Sequence, residues 1–233
     1  MKNPFRCFKN SPEIIRDAVM LYVRYPLSLR NVEDMLAERG IDVCHETVRL
    51  WWNRFGPIFA AEFRKKRIKA RRGFTEWRWH LDEVFVKING EIHYLWGALD
   101  HEGEVLDSLV TKHRNRKAAL SLLKRLIKKY GRPVSIVTDK LRSYAAAMKI
   151  LGIEGLQDCE GRWINNRAEN SHQPFRRRER AILKFRSLET LRKFVDVQGP
   201  IHNHFNRDRH LVSGGIYKQQ RSAAMAERKI LAI

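Results

Sequence analysis

The chain has 233 residues, 43% of them hydrophobic, with 46 Lys+Arg against 26 Asp+Glu and a formal net charge of +20 at pH 7. That length buries a real core, and that hydrophobic share, with six tryptophans, excludes general disorder. A pI near 10.3 fits a nucleic-acid partner better than an acidic protein or a membrane surface, a basic ribosome-associated protein being the plainer alternative.

Cys7, Cys44 and Cys159 are odd in number and form no CxxC pair, so neither a disulfide framework nor a zinc finger is indicated. The opening MKNPFRCFKN lacks the apolar core of a signal peptide, and the longest apolar run, Ala18 to Val23, is too short to span a bilayer. A cytoplasmic protein is expected.

Residues 11 to about 56 read as three helices. The first runs from Pro12 to Arg24 with Ile15, Val19, Tyr22 and Val23 on one face, and Pro26 ends it. Ser28 caps a second carrying Val32, Met35 and Leu36, with Gly40 as its left-handed stop. The third spans His45 to Phe55, its stripe being Val48, Trp51, Trp52 and Phe55, and Gly56-Pro57 is expected to end it. Three short helices suit a helix-turn-helix reader, which would present His45, Glu46, Arg49 and Asn53 to the bases; a plain helical bundle is the alternative.

From Arg64 to Arg72 the sequence is RKKRIKARR, seven basic residues in nine. Such a block repels itself and tends to extend, so Lys65, Lys66, Arg67, Arg71 and Arg72 read as phosphate-gripping positions in a linker. A solvated helix surface is the alternative, since Phe59, Phe63 and Arg67 keep helical spacing. The expected domains are therefore 1–60, helical; 61–75, linker; and 76–233, α/β.

At Trp77 the hydrophobic period changes to two. WRWHLDEVFVKI, Asn89-Gly90 and EIHYLWGALD predict a β-hairpin. A strand over Glu104 to Val110 follows, then a helix from Arg116 to Tyr130 stopped by Gly131, a short buried strand in PVSIVTD and a helix over about Ser143 to Leu151. A longer helix begins at Asn166, and Pro174 should bend or restart it. Three antiparallel strands, a helix, a parallel strand and more helices describe a ribonuclease H-like α/β core preceded by an all-α domain.

Three acids stand out. Asp82 shares a strand face with Val84, Val86 and Ile88, which costs stability unless its charge is compensated; an edge acid paired with a lysine is the alternative. Asp139 lies where PVSIVTD runs out, where ligands of open α/β sheets collect, although a helix-capping role is equally natural. Glu169 follows Asn166 by three residues, as in a capping box. A group of acids in a basic, polyanion-attracting chain repels that polyanion unless divalent cations sit between them. Two magnesium or manganese ions on the three carboxylates would serve in-line displacement at a phosphodiester. Beyond Glu169, Arg176, Arg177, Arg178 and Arg180 could hold phosphates bidentately.

The blocks WHLDEVFVKINGEIHYLWGALD, IVTDKLRSY and NNRAENSHQPFRRRER resemble the first-aspartate, second-aspartate and glutamate blocks of DDE transposases of bacterial insertion sequences, close to the IS-six group, whose core is similar to retroviral integrase. Fifty-six residues separate Asp82 from Asp139 and 29 separate Asp139 from Glu169, within that family's layout. The resemblance implies that Asp82, Asp139 and Glu169 form the metal-binding triad and that Arg176 takes the basic position seven residues after the glutamate. It also implies binding of terminal inverted repeats, cleavage exposing a 3′ hydroxyl, attack of that hydroxyl on target DNA, and assembly of more than one protomer.

The tail IHNHFNRDRHLVSGGIYKQQR resembles the segment that closes such cores. Its His202, His204 and His210 are read as satisfied or phosphate-facing rather than as a histidine-metal nuclease site. Two further functions stay open on sequence: a DNA-binding regulator whose second domain only oligomerises, and a nuclease or junction resolvase that cuts without joining.

Overall fold

The computed structural model describes residues 3–71, 78–139, 141–159, 166–205 and 213–231; the side chains of 69–71 and 166–171 fall outside that description. The described part of the chain divides into two compact units, one of Met1–Arg67 with Asp196–Ile233 and one of Ile68–Val195. The chain from Asp196 onward thus groups with the first helices, whereas the sequence reading ran one domain from 76 to 233.

In the first unit α1 (Pro12–Arg24) is capped by Ser11, and α2 (Leu29–Ala37) by a reciprocal Ser28–Asn31 box, as Ser28 foretold. Gly40 takes the left-handed conformation expected of a stop, with φ of 72°. α3 runs from His45 to Arg71, straight past Gly56-Pro57. That corrects the expected stop; of the expected linker over 61–75, residues 61–71 are helical, the alternative that the spacing of Phe59, Phe63 and Arg67 left open. The reason lies in packing. A Cβ on Gly56 would stand 2.8 Å from the Trp52 ring, so glycine there serves close contact rather than termination. The stripe continues through buried Phe59, Ala60 and Phe63, and burying three more apolar side chains outweighs the one amide donor lost at Pro57. α7 (Leu188–Phe205) and α8 (Gly214–Lys229) complete the helical inventory near the carboxy terminus. In the first unit, Arg16 donates to the carbonyl of Leu231 at 2.7 Å and His204 stacks on Phe63.

The second unit holds a five-stranded sheet in the order β3-β2-β1-β4-β5. β1 (Arg78–Ile88), β2 (Glu91–Leu99) and β3 (Val105–Thr111) form an antiparallel meander. Asn89 and Gly90 turn the first hairpin with φ of 49° and 88°, the double positive φ that a two-residue turn of this twist needs. α4 (Arg116–Tyr130) then crosses over to β4 (Ser135–Val137), which pairs parallel with β1. α5 (Arg142–Leu151) leads to β5 (Gln157–Asp158), a two-residue strand with no hydrophobic alternation to announce it. This is the mixed α/β arrangement expected of a ribonuclease H-like core.

One sheet face packs Trp79, Leu81, Trp96 and Ala98 against Leu122, Leu123 and Leu126 of α4 and Tyr144, Ala147 and Met148 of α5. The opposite face receives α6 (Asn166–Ala181), which continues through Pro174 without the expected restart. Proline inside a helix forfeits one ladder bond, and a neighbouring sheet to pack against makes that loss tolerable.

Candidate active site

Strand register brings two of the three acids together. β1 and β4 run parallel with His80 opposite Val137. Two residues further along stand Asp82, midway along β1, and Asp139, just past the end of β4, so the same register carries both to the level where the β1–β4 pairing runs out. Carboxylate oxygens of Asp82, Glu83 and Asp139 lie within 4.8 Å of one another. Hard oxygen donors at that spacing suit a magnesium- or manganese-like cation. Position 169 is helical in α6, but the Glu169 side chain lies outside the described residues.

Neighbouring side chains on β1 point to opposite faces, so Asp82 and Glu83 meet different surroundings. Asp82 shares the α6 side with Val86 and Ile88, both buried as their alternation implied. Its ladder partner is Gly97 on β2. Into the space a side chain would fill there comes His172 of α6, whose Nε2 lies 3.1 Å from Asp82 Oδ2, off the direction of a good hydrogen bond. An open groove of about 510 Å³ is lined by Asp82, Glu83, His172, Arg176, Arg177 and Arg180 among others.

Glu83 was not singled out from the sequence. A signal existed, because Trp79, Leu81 and Glu83 alternate onto one face whose first two members are core residues, which makes the third a buried acid. Its side chain is 2% exposed. Arg114, from the β3–α4 connection, donates Nε to Glu83 Oε1 at 2.7 Å and also donates Nη2 to that oxygen. Tyr144 of α5 donates its hydroxyl to Oε2 at 2.9 Å. Arg114 Nη2 also reaches Asp139 Oδ2 at 3.5 Å, while the Leu141 amide donates to Asp139 Oδ1 at 3.1 Å. Burial, and then the nearby Asp139 charge, push the Glu83 carboxyl above its ordinary value despite these donors. Asp139 is raised too, first by burial and then by Asp82. Tyr144 is held far above the usual phenol by burial and by Glu83.

The basic residues divide. Arg177 and Arg180 are exposed beside the groove. Arg176 donates Nη1 to Glu179 at 2.7 Å and Nη2 to the carbonyl of Phe85 at 2.7 Å, with its guanidinium over the Phe85 ring. Arg178 corrects the expectation of a fourth phosphate-facing arginine: it is 2% exposed and lies over the ring of Phe194. On a helix four consecutive positions face four directions, so a run RRRER cannot put every guanidinium in the same groove.

In the first unit His45 donates its amide to Glu33, and its Nδ1 lies 2.9 Å from the same carboxylate, tying α2 to the start of α3. Arg49 is exposed and pairs with Glu46, and Asn53 is exposed. Lys65 and Lys66 are exposed on α3, Lys66 beside Glu227, whereas Arg67 donates to the carbonyl of Asn203 at 3.2 Å. The Arg71 side chain and Arg72 lie outside the described residues, as does His210. His204 Nε2 lies 3.1 Å from the Ala224 carbonyl oxygen, and burial lowers the His202 pKa, which fits structural rather than metal-holding histidines. No described helix is long and apolar enough to cross a membrane.

A family profile described as a DDE domain matches residues 76–208. The chain is 34% identical over 192 residues to the transposase for insertion sequence-like element IS431mec of Staphylococcus aureus strain Mu50, covering 81% of this chain and 82% of that protein. It matches the transposase for insertion sequence element IS257 in transposon Tn4003, also of Staphylococcus aureus, at the same identity and coverage. Among solved structures, it is similar to a chain of a simian T-cell lymphotropic virus intasome in complex with PP2A regulatory subunit B56 gamma, at 14% identity and a TM-score of 0.42, covering 58% of this chain and 50% of that one. With a profile match of that extent and relatives aligned along most of both sequences, the chain belongs to the DDE transposases of bacterial insertion sequences, close to the IS-six group, and is an enzyme of polynucleotidyl transfer.

Proposed function

We propose that this transposase binds the terminal inverted repeats of its element as double-stranded DNA, cleaves a strand at each end, and joins the exposed 3′ hydroxyl to target DNA. Asp82, Asp139 and Glu169 hold two divalent cations, magnesium or manganese, for both steps. The observation that carries this reading is the convergence of Asp82 and Asp139 oxygens where β4 runs out beside the middle of β1, next to a groove with exposed arginines. Helical spacing supports the third member: position 169 lies three residues before His172 and seven before Arg176, close to one face of α6.

When bound, the cations would activate the attacking water or hydroxyl and offset charge on the leaving oxygen. This chain's own residues do the rest. Arg177 and Arg180 grip the DNA backbone along the groove, and Arg176, fixed on Phe85 and Glu179, presents its remaining donor capacity at the groove edge. His172 covers Asp82 on its open side and limits which oxygen faces the groove. Arg49 and Asn53 of α3 read base edges of the terminal repeat, while Lys65, Lys66, Arg71 and Arg72 neutralise phosphates; His45, committed to Glu33, orients the helix start. Two ends must be held together for joining, so the acting form is a homo-oligomer of a dimer or more.

The test is incubation of purified protein with labelled element ends and Mn²⁺, scoring nicked and joined products. Asp82→Asn, Asp139→Asn and Glu169→Gln are expected to abolish both products while DNA retention persists. Undiminished joining by any one of them removes that residue from the triad, and cutting without joining by the native protein replaces transposition with a nuclease activity.

A further inference from the structure

The cluster beneath the acids is built around a cation that belongs to the chain itself. Arg114 is 41% exposed and arises from the connection before α4, yet its guanidinium is fastened to the buried Glu83 carboxylate. Both Glu83 oxygens are committed, one to Arg114 and the other to the Tyr144 hydroxyl. A carboxylate with both oxygens engaged by donors is a poor choice for a metal ligand, although its distance from Asp82 and Asp139 would allow it. Glu83 reads better as the anchor of Arg114. Anchored there, Nη2 stands 3.5 Å from Asp139 Oδ2. Asp139 Oδ1 is taken by the Leu141 amide, so Oδ2 is the oxygen left to face either a guanidinium or a divalent cation.

Resting on the cation-holding role given above to Asp82 and Asp139, we propose that Arg114 is a positioning residue that acts as an internal counter-ion at Asp139. Seated on the Glu83–Tyr144 pair, it offsets the Asp139 charge, holds that carboxylate in place beside Asp82, and competes with the divalent cation for Oδ2. Cation binding moves Nη2 off Asp139 while Nε stays on Glu83. The carboxylates are thereby kept in place without unscreened repulsion, at the cost of weaker cation binding before DNA arrives.

A merely structural arginine and a competing counter-ion predict opposite signs. Loss of a structural support loosens Asp139 and weakens cation binding. Loss of a competitor strengthens it, by roughly threefold to tenfold for a unit charge at this separation in a half-exposed setting.

The experiment measures Mn²⁺ binding to the full chain without DNA, by the loss of the free-ion electron paramagnetic resonance signal, after chelator treatment and dialysis. The variants are Arg114→Gln, Arg114→Lys and Asp139→Asn. Arg114→Gln is expected to bind Mn²⁺ about threefold to tenfold more tightly than the native chain, and Arg114→Lys, which keeps the charge without the two-donor fork, to fall between them. Thermal melting in chelator should show Arg114→Gln below the native chain, and added Mn²⁺ should raise it by more. Unchanged or weaker Mn²⁺ binding by Arg114→Gln overturns the proposal while Asp139→Asn still reports a working cation site. If Arg114→Gln does not fold, Lys binding at or below the native affinity overturns it equally. Should Asp139→Asn bind Mn²⁺ as well as the native chain does, the cation-site reading itself falls, and this inference with it.

Discussion

Asp82 faces Gly97 across the β1–β2 ladder, and the His172 ring comes within 3.4 Å of where a Cβ on Gly97 would stand. The strand position opposite the first acid is thus kept bare for a histidine arriving from α6. Gly97→Ala adds one methyl at ordinary contact distance and should leave strand transfer close to native. Gly97→Val extends into the ring and should displace His172 from Asp82, lowering joined product at least tenfold, since about an ångström of misplacement can cost a hundredfold. Quantifying joined ends for both variants, with circular dichroism to confirm folding, checks the pair. Equal activity of Val and native protein removes His172 from the site's geometry.

The buried side of the same strand makes a stability prediction. Tyr144 is fully buried and donates to Glu83. Tyr144→Phe keeps the ring packed edge-on against Trp96 but leaves a buried carboxylate oxygen without that donor. The expected loss is about 1–3 kcal/mol, read from urea unfolding followed by tryptophan fluorescence. A loss below about 0.3 kcal/mol would mean that water or Arg114 replaces the hydroxyl without penalty.

Much of this was legible from local pattern. The Asn89-Gly90 hairpin, the caps at Ser28 and Gly131 and the α4 stripe are short-range signals, each set by a few adjacent residues. Asp82 stood out because an acid on a β-branched strand face conflicts with burial. What escaped was non-local. β5 is two residues long and exists because β4 offers it a ladder, and the roles of Arg114 and Tyr144 depend on a connection and a helix that meet Glu83 only after folding. The stop expected at Gly56-Pro57 failed for the same reason: local punctuation yielded to the apolar stripe running on through Phe59 and Phe63.

The raised Asp139 carboxyl sets a pH dependence. Its folded pKa lies above the ordinary 3.8, through burial and then the Asp82 charge. A group whose pKa is raised on folding contributes stability below its unfolded value and loses it as pH rises through the folded value. In chelator, the native chain should therefore lose stability relative to Asp139→Asn as pH climbs from about 4 toward neutrality. Urea midpoints of both proteins at several pH values read this directly. A difference that stays flat, or moves the other way, would show that Arg114 and the Leu141 amide outweigh burial at Asp139.

The arginines of α6 separate cleanly by experiment because burial has already divided them. Arg178 is 2% exposed over Phe194, so Arg178→Ala removes packing and a cation–π contact and should destabilise the fold by about 1–3 kcal/mol. Its folded fraction should bind DNA with the native salt dependence. Arg177 and Arg180 are exposed beside the groove, and Arg177→Ala with Arg180→Ala should leave the unfolding midpoint within about 0.5 kcal/mol of native. If both touch phosphates, the slope of log affinity against log salt should become shallower by roughly 0.9 for each contact removed. Measuring affinity at four or five salt concentrations for the native and double-variant proteins gives that slope. A double variant with the native slope would move the DNA path away from this face of α6, and with it the backbone-gripping role of Arg177 and Arg180 along the groove.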